Sequence, residues 1–156
     1  MNARSETIDK LTRYVDTDSV NYLQPYPESF DKLQSEYWST LVKWLKTEHD
    51  LDIKTTNGIL PVSQSSKTRL FFKKLLQESD DISLAAFEKT IMMTKSVIIP
   101  FALFSKKIQV DVAVTTARLE VLHQIDRWGQ VEDSHDTEHL DFKRVLGAAS
   151  IVWLKC

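Results

Sequence analysis

"PESFDKLQSEYWSTLVKWL", Pro27 to Leu45, is the stretch on which the fold turns. Phe30, Leu33, Tyr37, Leu41 and Trp44 recur at spacings of three and four, which places them on one face of an α-helix. Trp38 and Leu45 flank that stripe. Proline stands at the entry, where its missing N–H costs least. The pattern fades by His49. Such a stripe must bury itself against other elements, so the question is what surrounds it.

The neighbouring segments answer with more helices. Asn2 to Tyr14 reads as a short polar helix with Ile8, Leu11 and Val15 as its apolar contacts. "VDTDSVNYLQPYPES" is irregular. "DLDIKTTNGILPVSQSS", with Asn57-Gly58 and Pro61, reads as a loop. Ser66 can cap a helix over Lys67–Gln77 that places Leu70, Phe71, Leu75 and Leu76 inside. Asp80, Asp81 or Ser83 can cap the next, which carries Leu84, Phe87, Ile91, Ile98 and Ala102. That helix turns apolar nearly all round after Ile91, as a central helix does, and Pro100 should kink or divide it. Val110 to Trp128 forms another, with Val110, Val114, Ala117, Val121, Ile125 and Trp128 in step, stopped by Gly129. A last helix carries Phe142, Leu146, Ala149 and Trp153. The tryptophans Trp38, Trp44, Trp128 and Trp153 are all expected in the core. The architecture expected is all-α, a single-domain bundle of about five main helices over residues 27–156, preceded by an N-terminal helix and irregular segment over 1–26.

Composition narrows the function. The 156 residues suffice for one core, and 42% hydrophobic with 27% charged residues describes a globular chain. Only three glycines argue against an all-β fold. A net charge of −2 gives no bulk attraction to nucleic acid. The longest apolar run, "SVIIPFALF", is too short to span a bilayer, so no membrane insertion is expected. The opening "MNARSETIDKL" lacks the apolar core of a secretory signal. One cysteine, Cys156, excludes an internal disulfide and a cysteine-cluster zinc site. Charge is nonetheless uneven. Lys67, Arg69, Lys73 and Lys74 sit together and read as a solvated helix face, whereas Asp126 to Asp141 holds six acids against Arg127 alone.

The acidic stretch "WGQVEDSHDTEH", Trp128 to His139, admits several chemistries. His135 and His139 stand four apart, so on a helix they share a face and with a carboxylate can hold zinc. Yet "HDTEH" is not "HExxH", because Glu138 adjoins the second histidine. Acid–base catalysis by Glu132 and Asp133 lacks an accompanying nucleophile or phosphate loop. Capping is the plainer reading: Asp133 or Ser134 can cap the last helix, and acids in its first turn favour the positive helix end. It leaves Trp128, Gly129 and Glu132 unexplained. Asp16 and Asp18 can likewise cap local turns or contact a partner. Arg118 and Glu120 can form an internal salt bridge. No metal and no cofactor is expected.

Motifs in order along the chain carry a resemblance. "WGQVEDSHD" supplies Trp128, Gly129, Val131, Glu132, Asp133, His135 and Asp136, and "ARLEVLHQIDRWG" supplies Ala117, Arg118, Leu119, Glu120, Gln124 and Ile125. "DTDSV", "NGILPV", "LAAFE" and "TKSVII" precede them. Together they resemble the assembly chaperones that handle the alpha subunit of the F(1) head of mitochondrial ATP synthase. Pro100 departs from the small or apolar residue expected there.

The resemblance implies a non-enzymatic chaperone that binds the alpha subunit in the mitochondrial matrix and protects it until it pairs with beta. It also implies that this chain is the family's C-terminal helical domain, with residues 1–26 joining from a separate, absent N-terminal domain. Glu132, Asp133, Asp136, Asp16 and Asp18 are the candidate client-binding residues, Glu132 foremost, and a monomer is expected. A small metal-dependent hydrolase using His135 and His139 is the alternative from another class. A helical adaptor for an unrelated protein is the third.

Overall fold

The computed structural model describes residues 3–131 and 134–153. Eight α-helices are present among them: α1 (Ala3–Arg13), α2 (Glu28–His49), α3 (Ser66–Glu78), α4 (Asp81–Thr94), α5 (Ile98–Phe104), α6 (Val110–Ala117), α7 (Leu119–Trp128) and α8 (Ser134–Trp153). A 3-10 turn spans Ser19–Asn21, and one isolated bridge pairs Tyr22 with Thr56. The all-α class is as expected. The larger helix number comes from two expected helices that are each broken once.

The first break creates the core. The apolar run after Ile91 does not continue as one helix. Lys95 turns left-handed at φ 55°, and α5 restarts at Ile98. All seven α5 residues are buried. Pro100 therefore kinks nothing. It is the third residue of α5, inside the first turn, where no intrahelical partner awaits its N–H. Helices α2, α4, α6 and α8 all pack on α5. Phe101 meets Trp44, Phe71 and Phe72, while Phe104 stacks on Trp153 at 5.0 Å and meets Phe87 edge-on.

A helix start in so buried a place needs partners for its free N–H groups. Ser96 Oγ accepts from Ile99 N at 3.0 Å. The other acceptor comes from about 80 residues upstream. Asp18 Oδ2 takes Val97 N at 2.7 Å and Ile98 N at 3.0 Å, while its Oδ1 takes Val20 N at 3.0 Å. Asp18 is fully buried. One carboxylate thus joins the N-terminal segment to the first turn of the central helix.

The stripe of α2 is centred slightly differently from the expected one. Trp38 is buried and Tyr37 only half-buried, and Gln34 lies inside the stripe. Gln34 is satisfied by exchanging two 2.7 Å bonds with the Gln24 backbone. Trp38 Nε1 donates to Thr116 O at 2.9 Å. In α3 the cap is Ser65 and not Ser66, Phe72 is buried, and Leu70 is largely exposed, contrary to expectation. Asp80 caps α4 through Ile82 N and Ser83 N. Helix α1 lies against α3 and α4. Arg4 pairs with Asp81, and Lys73 with Asp9 at 2.8 Å.

The second break is at Arg118, which separates α6 from α7. As a result Val121 and Ile125 are half-buried, and Trp128, expected in the core, is 72% exposed. Gly129 ends α7 at φ 89° and ψ 164°, a conformation open in practice to glycine alone, and its N–H returns to Ile125 O at 2.8 Å. The last helix buries Phe142, Leu146 and Ala149 as expected.

Two outcomes follow. Gly129→Ala meets no neighbouring atom within 4 Å, so its cost is conformational alone, about 1–3 kcal/mol, readable by urea unfolding.

The second concerns pH. Burial, the largest influence, raises the Asp18 carboxyl from 3.8 to about 6, against the lowering effect of Ser96 and the backbone N–H groups of Ile98, Val20 and Val97. The folded state therefore holds this proton more tightly than the unfolded chain. The proton-linked part of Asp18's contribution is full below the unfolded value and is lost as pH rises through about 6, while the bonds to the backbone N–H groups remain. Asp18→Asn offers one acceptor oxygen and turns an NH2 toward backbone donors, which costs about 1–3 kcal/mol at any pH. The stability gap between wild type and Asp18→Asn should therefore widen from pH 7 to pH 4.5. A constant gap would show that the N–H bonds outweigh burial.

Candidate functional site

The acidic stretch lies where α7 ends and α8 begins. Gly129 turns the chain, and Val131 N donates to His135 Nδ1 at 3.1 Å. The Gln130 side-chain amide donates to Asp136 Oδ1. Trp128 stands outward with the Arg127 guanidinium 5.2 Å from its ring. Val131 is also exposed. Glu132 and Asp133 lie outside the described residues. Ser134 is the first residue of α8, and Asp136 sits in its first turn, where a carboxylate favours the positive helix end.

Arg118 underlies this segment. Its side chain is 3% exposed, at the break between α6 and α7. Nη2 donates to Glu138 Oε2 at 2.8 Å and to His135 O at 3.2 Å. Nη1 donates to His139 Nδ1 at 2.9 Å, which leaves the ring's own proton on Nε2. The guanidinium lies 5.8 Å from the Phe142 ring centroid. Its Nε is buried without a partner among the described residues. The expected Arg118–Glu120 bridge is therefore corrected: the carboxylate partner is Glu138, and Glu120 is exposed. Lys143 and Asp111, 2.8 Å apart, tie α8 to α6 nearby, and that bond holds the Asp111 carboxyl below its usual range.

The remaining candidates belong to other elements. Asp18 is buried at the start of α5. Asp16 pairs with Arg69 at 2.8 Å and accepts from Gln64 N at 2.8 Å, which closes the loop before α3. Both histidine Nδ1 atoms are engaged, His135 by a backbone N–H and His139 by Arg118. Among the described residues no three His, Cys, Asp or Glu side chains are grouped to hold a metal ion. A dyad-like contact, Ser29 Oγ to His123 Nε2 at 2.9 Å, joins α2 to α7 against Phe30.

The arrangement suits binding. Asp136 keeps its charge, because its partner is a neutral amide, and exposed Trp128 and Val131 sit in the same turn of chain. Sequence reasoning placed Arg118 in a motif but missed its role. The signal was present: with Val110 and Val114 it continues a four-residue spacing, so a positive charge falls in the buried phase of the helix. A buried guanidinium demands a carboxylate.

Comparison with known proteins converges on one family. A family model described as ATP12 chaperone protein matches residues 1–46. Protein atp12, mitochondrial, of Schizosaccharomyces pombe is 28% identical over 149 residues, covering 92% of this chain and 51% of the relative. Protein ATP12, mitochondrial, of Saccharomyces cerevisiae is 27% identical over 172 residues, covering 94% and 53%. The chain thus spans about half the length of the curated relatives it matches. In fold, it is similar to the crystal structure of Atp12 from Paracoccus denitrificans, with a TM-score of 0.86 at 24% identity, covering 95% of this chain and 63% of that one. Atu1473 of Agrobacterium tumefaciens gives a TM-score of 0.84 at 21% identity, covering 98% and 57%. Its motifs, its helical fold and these relatives agree in their similarity to the ATP12 chaperone family.

Proposed function

We propose that this chain works, as a monomer in the mitochondrial matrix, in an assembly chaperone that binds the unassembled alpha subunit of the F(1) ATP synthase head until it pairs with beta. The observation that carries the reading is the start of α8, whose described carboxylates differ in their partners. Glu138 pairs with buried Arg118, while Asp136 and Trp128 remain exposed. Such a surface offers an aromatic anchor beside negative charge, and it suits a partner segment with an apolar side chain flanked by arginine or lysine.

The physics of the task fits a polar, releasable contact. An unassembled subunit exposes an interface prone to aggregation. Its holder must mask that interface and then yield to the proper partner, which a mixed polar surface permits better than a large apolar one. Glu132, Asp133 and Asp136 are the proposed client carboxylates. Asp16 is proposed as a secondary contact from the α1–α3 side. Asp18 is placed to brace the fold, and contact with a client would require opening it. The hydrolase reading finds less support, since both His135 and His139 spend Nδ1 on internal partners.

The test is capture of the alpha subunit by the whole protein in mitochondrial extract. Asp136→Lys and Glu132→Lys should each reduce capture ten-fold or more, because reversal replaces attraction with repulsion at a contact worth roughly 1–5 kcal/mol when desolvated. The unfolding free energy of each should change by about 1 kcal/mol or less, since reversal at an exposed first-turn site disturbs the helix end only modestly. Undiminished capture by both variants would remove the acidic segment from the client site. Failure of the wild type to capture the alpha subunit would refute the function itself.

A further inference from the structure

We propose that Arg118 is a positioning residue: a buried clamp at the α6–α7 break that fixes the first turns of α8 and decides which of their carboxylates faces a partner. The inference rests on the binding function proposed above.

The geometry joins one helix break to the start of another helix. Arg118 stands between α6 and α7; α7 packs on α2 and α6 and ends at Gly129, and α8 begins at Ser134. Among the described residues the polar contacts of the guanidinium all go to the first turns of α8, to His135 O, Glu138 Oε2 and the His139 ring. Position 118 is an unfavourable place for a charge, because a guanidinium buried there forfeits its hydration. Its Nε remains without a partner among the described residues, so the fork is aimed at α8 and not arranged for its own satisfaction.

The clamp also sorts charge. Glu138 is half-exposed, yet its carboxylate is committed to Arg118. Asp136, two residues earlier, meets the Gln130 amide as its partner among the described residues. A guanidinium that neutralises Glu138 therefore leaves Asp136 as the described carboxylate of the first turn that retains its charge for a partner. Arginine suits the role because its rigid fork reaches three acceptors in a fixed plane, whereas a lysine ammonium is a point charge on a flexible stem.

Arg118→Lys and Glu138→Gln, made in the whole protein, test this by hydrogen exchange and by capture of the alpha subunit. Glu138→Gln alters only a half-exposed side chain, so it reports even if Arg118→Lys folds poorly. The clamp requires amide exchange over residues 129–139 to accelerate ten-fold or more in either variant, with α5 amides unchanged and alpha-subunit capture reduced at least five-fold. Unchanged exchange over 129–139 in both would overturn it. So would equal acceleration in α5, which would make Arg118 a general support of the fold. Faster segment exchange with full capture would show that the fixed start of α8 does not serve binding. If the wild type itself captures no alpha subunit, the client assignment fails, and the exchange result alone still decides whether Arg118 clamps the start of α8.

Discussion

The structure depends first on one carboxylate. Helix α5 is buried along its whole length, and its start would leave bare N–H groups in an apolar interior if nothing met them. Asp18 meets two of them. Because it comes from before α2, the same contact draws the irregular segment after α1 into the centre of the bundle. Ser19 N reinforces this join by donating to Lys95 O at 3.1 Å. Once α5 is anchored, Phe101 and Phe104 set the aromatic contacts that α2, α3, α4 and α8 share.

Arg118 is the second buried charge, and its role is different in kind. Asp18 ties the N-terminal segment to the central helix, whereas Arg118 ties the α6–α7 break to the start of α8. A protein that must hold a client and then release it needs a surface fixed enough to recognise and exposed enough to be displaced. An apolar patch would hold too broadly, and a free acidic loop would lose affinity to its own ordering. A helix start held from inside by Arg118, with Asp136 exposed in its first turn, meets both demands.

Much of this was legible in the residues. Helix α2, the loop around Asn57-Gly58, the cap at Asp80 and the stripe of α8 follow from periodicity and capping chemistry. The misplacements have physical causes. Periodicity carries straight through 95–97 and Arg118, because breaks of three residues and of one leave the apolar spacing nearly intact, so two helices read as one on each occasion. The left-handed turn at Lys95 was hidden because lysine, unlike glycine, gives no sign of it. Trp128 was assigned to the core by size and phase, but the break at Arg118 turns α7 so that its last turn faces solvent. Of the candidate residues, Asp16 and Asp18 were recognisable as turn-forming by type. That Asp18 reaches a helix 80 positions away was not, because no local pattern encodes a long-range cap.

The central claim is that the exposed surface around Trp128 at the end of α7 touches the alpha subunit. Site-specific photo-crosslinking within the whole protein tests it most directly. A photoreactive aromatic residue at Trp128 should yield a covalent adduct with the alpha subunit in mitochondrial extract, while the same residue at Leu70, exposed on α3, should yield little or none. An adduct from Leu70 with none from Trp128 would place the client against α3 and contradict the account.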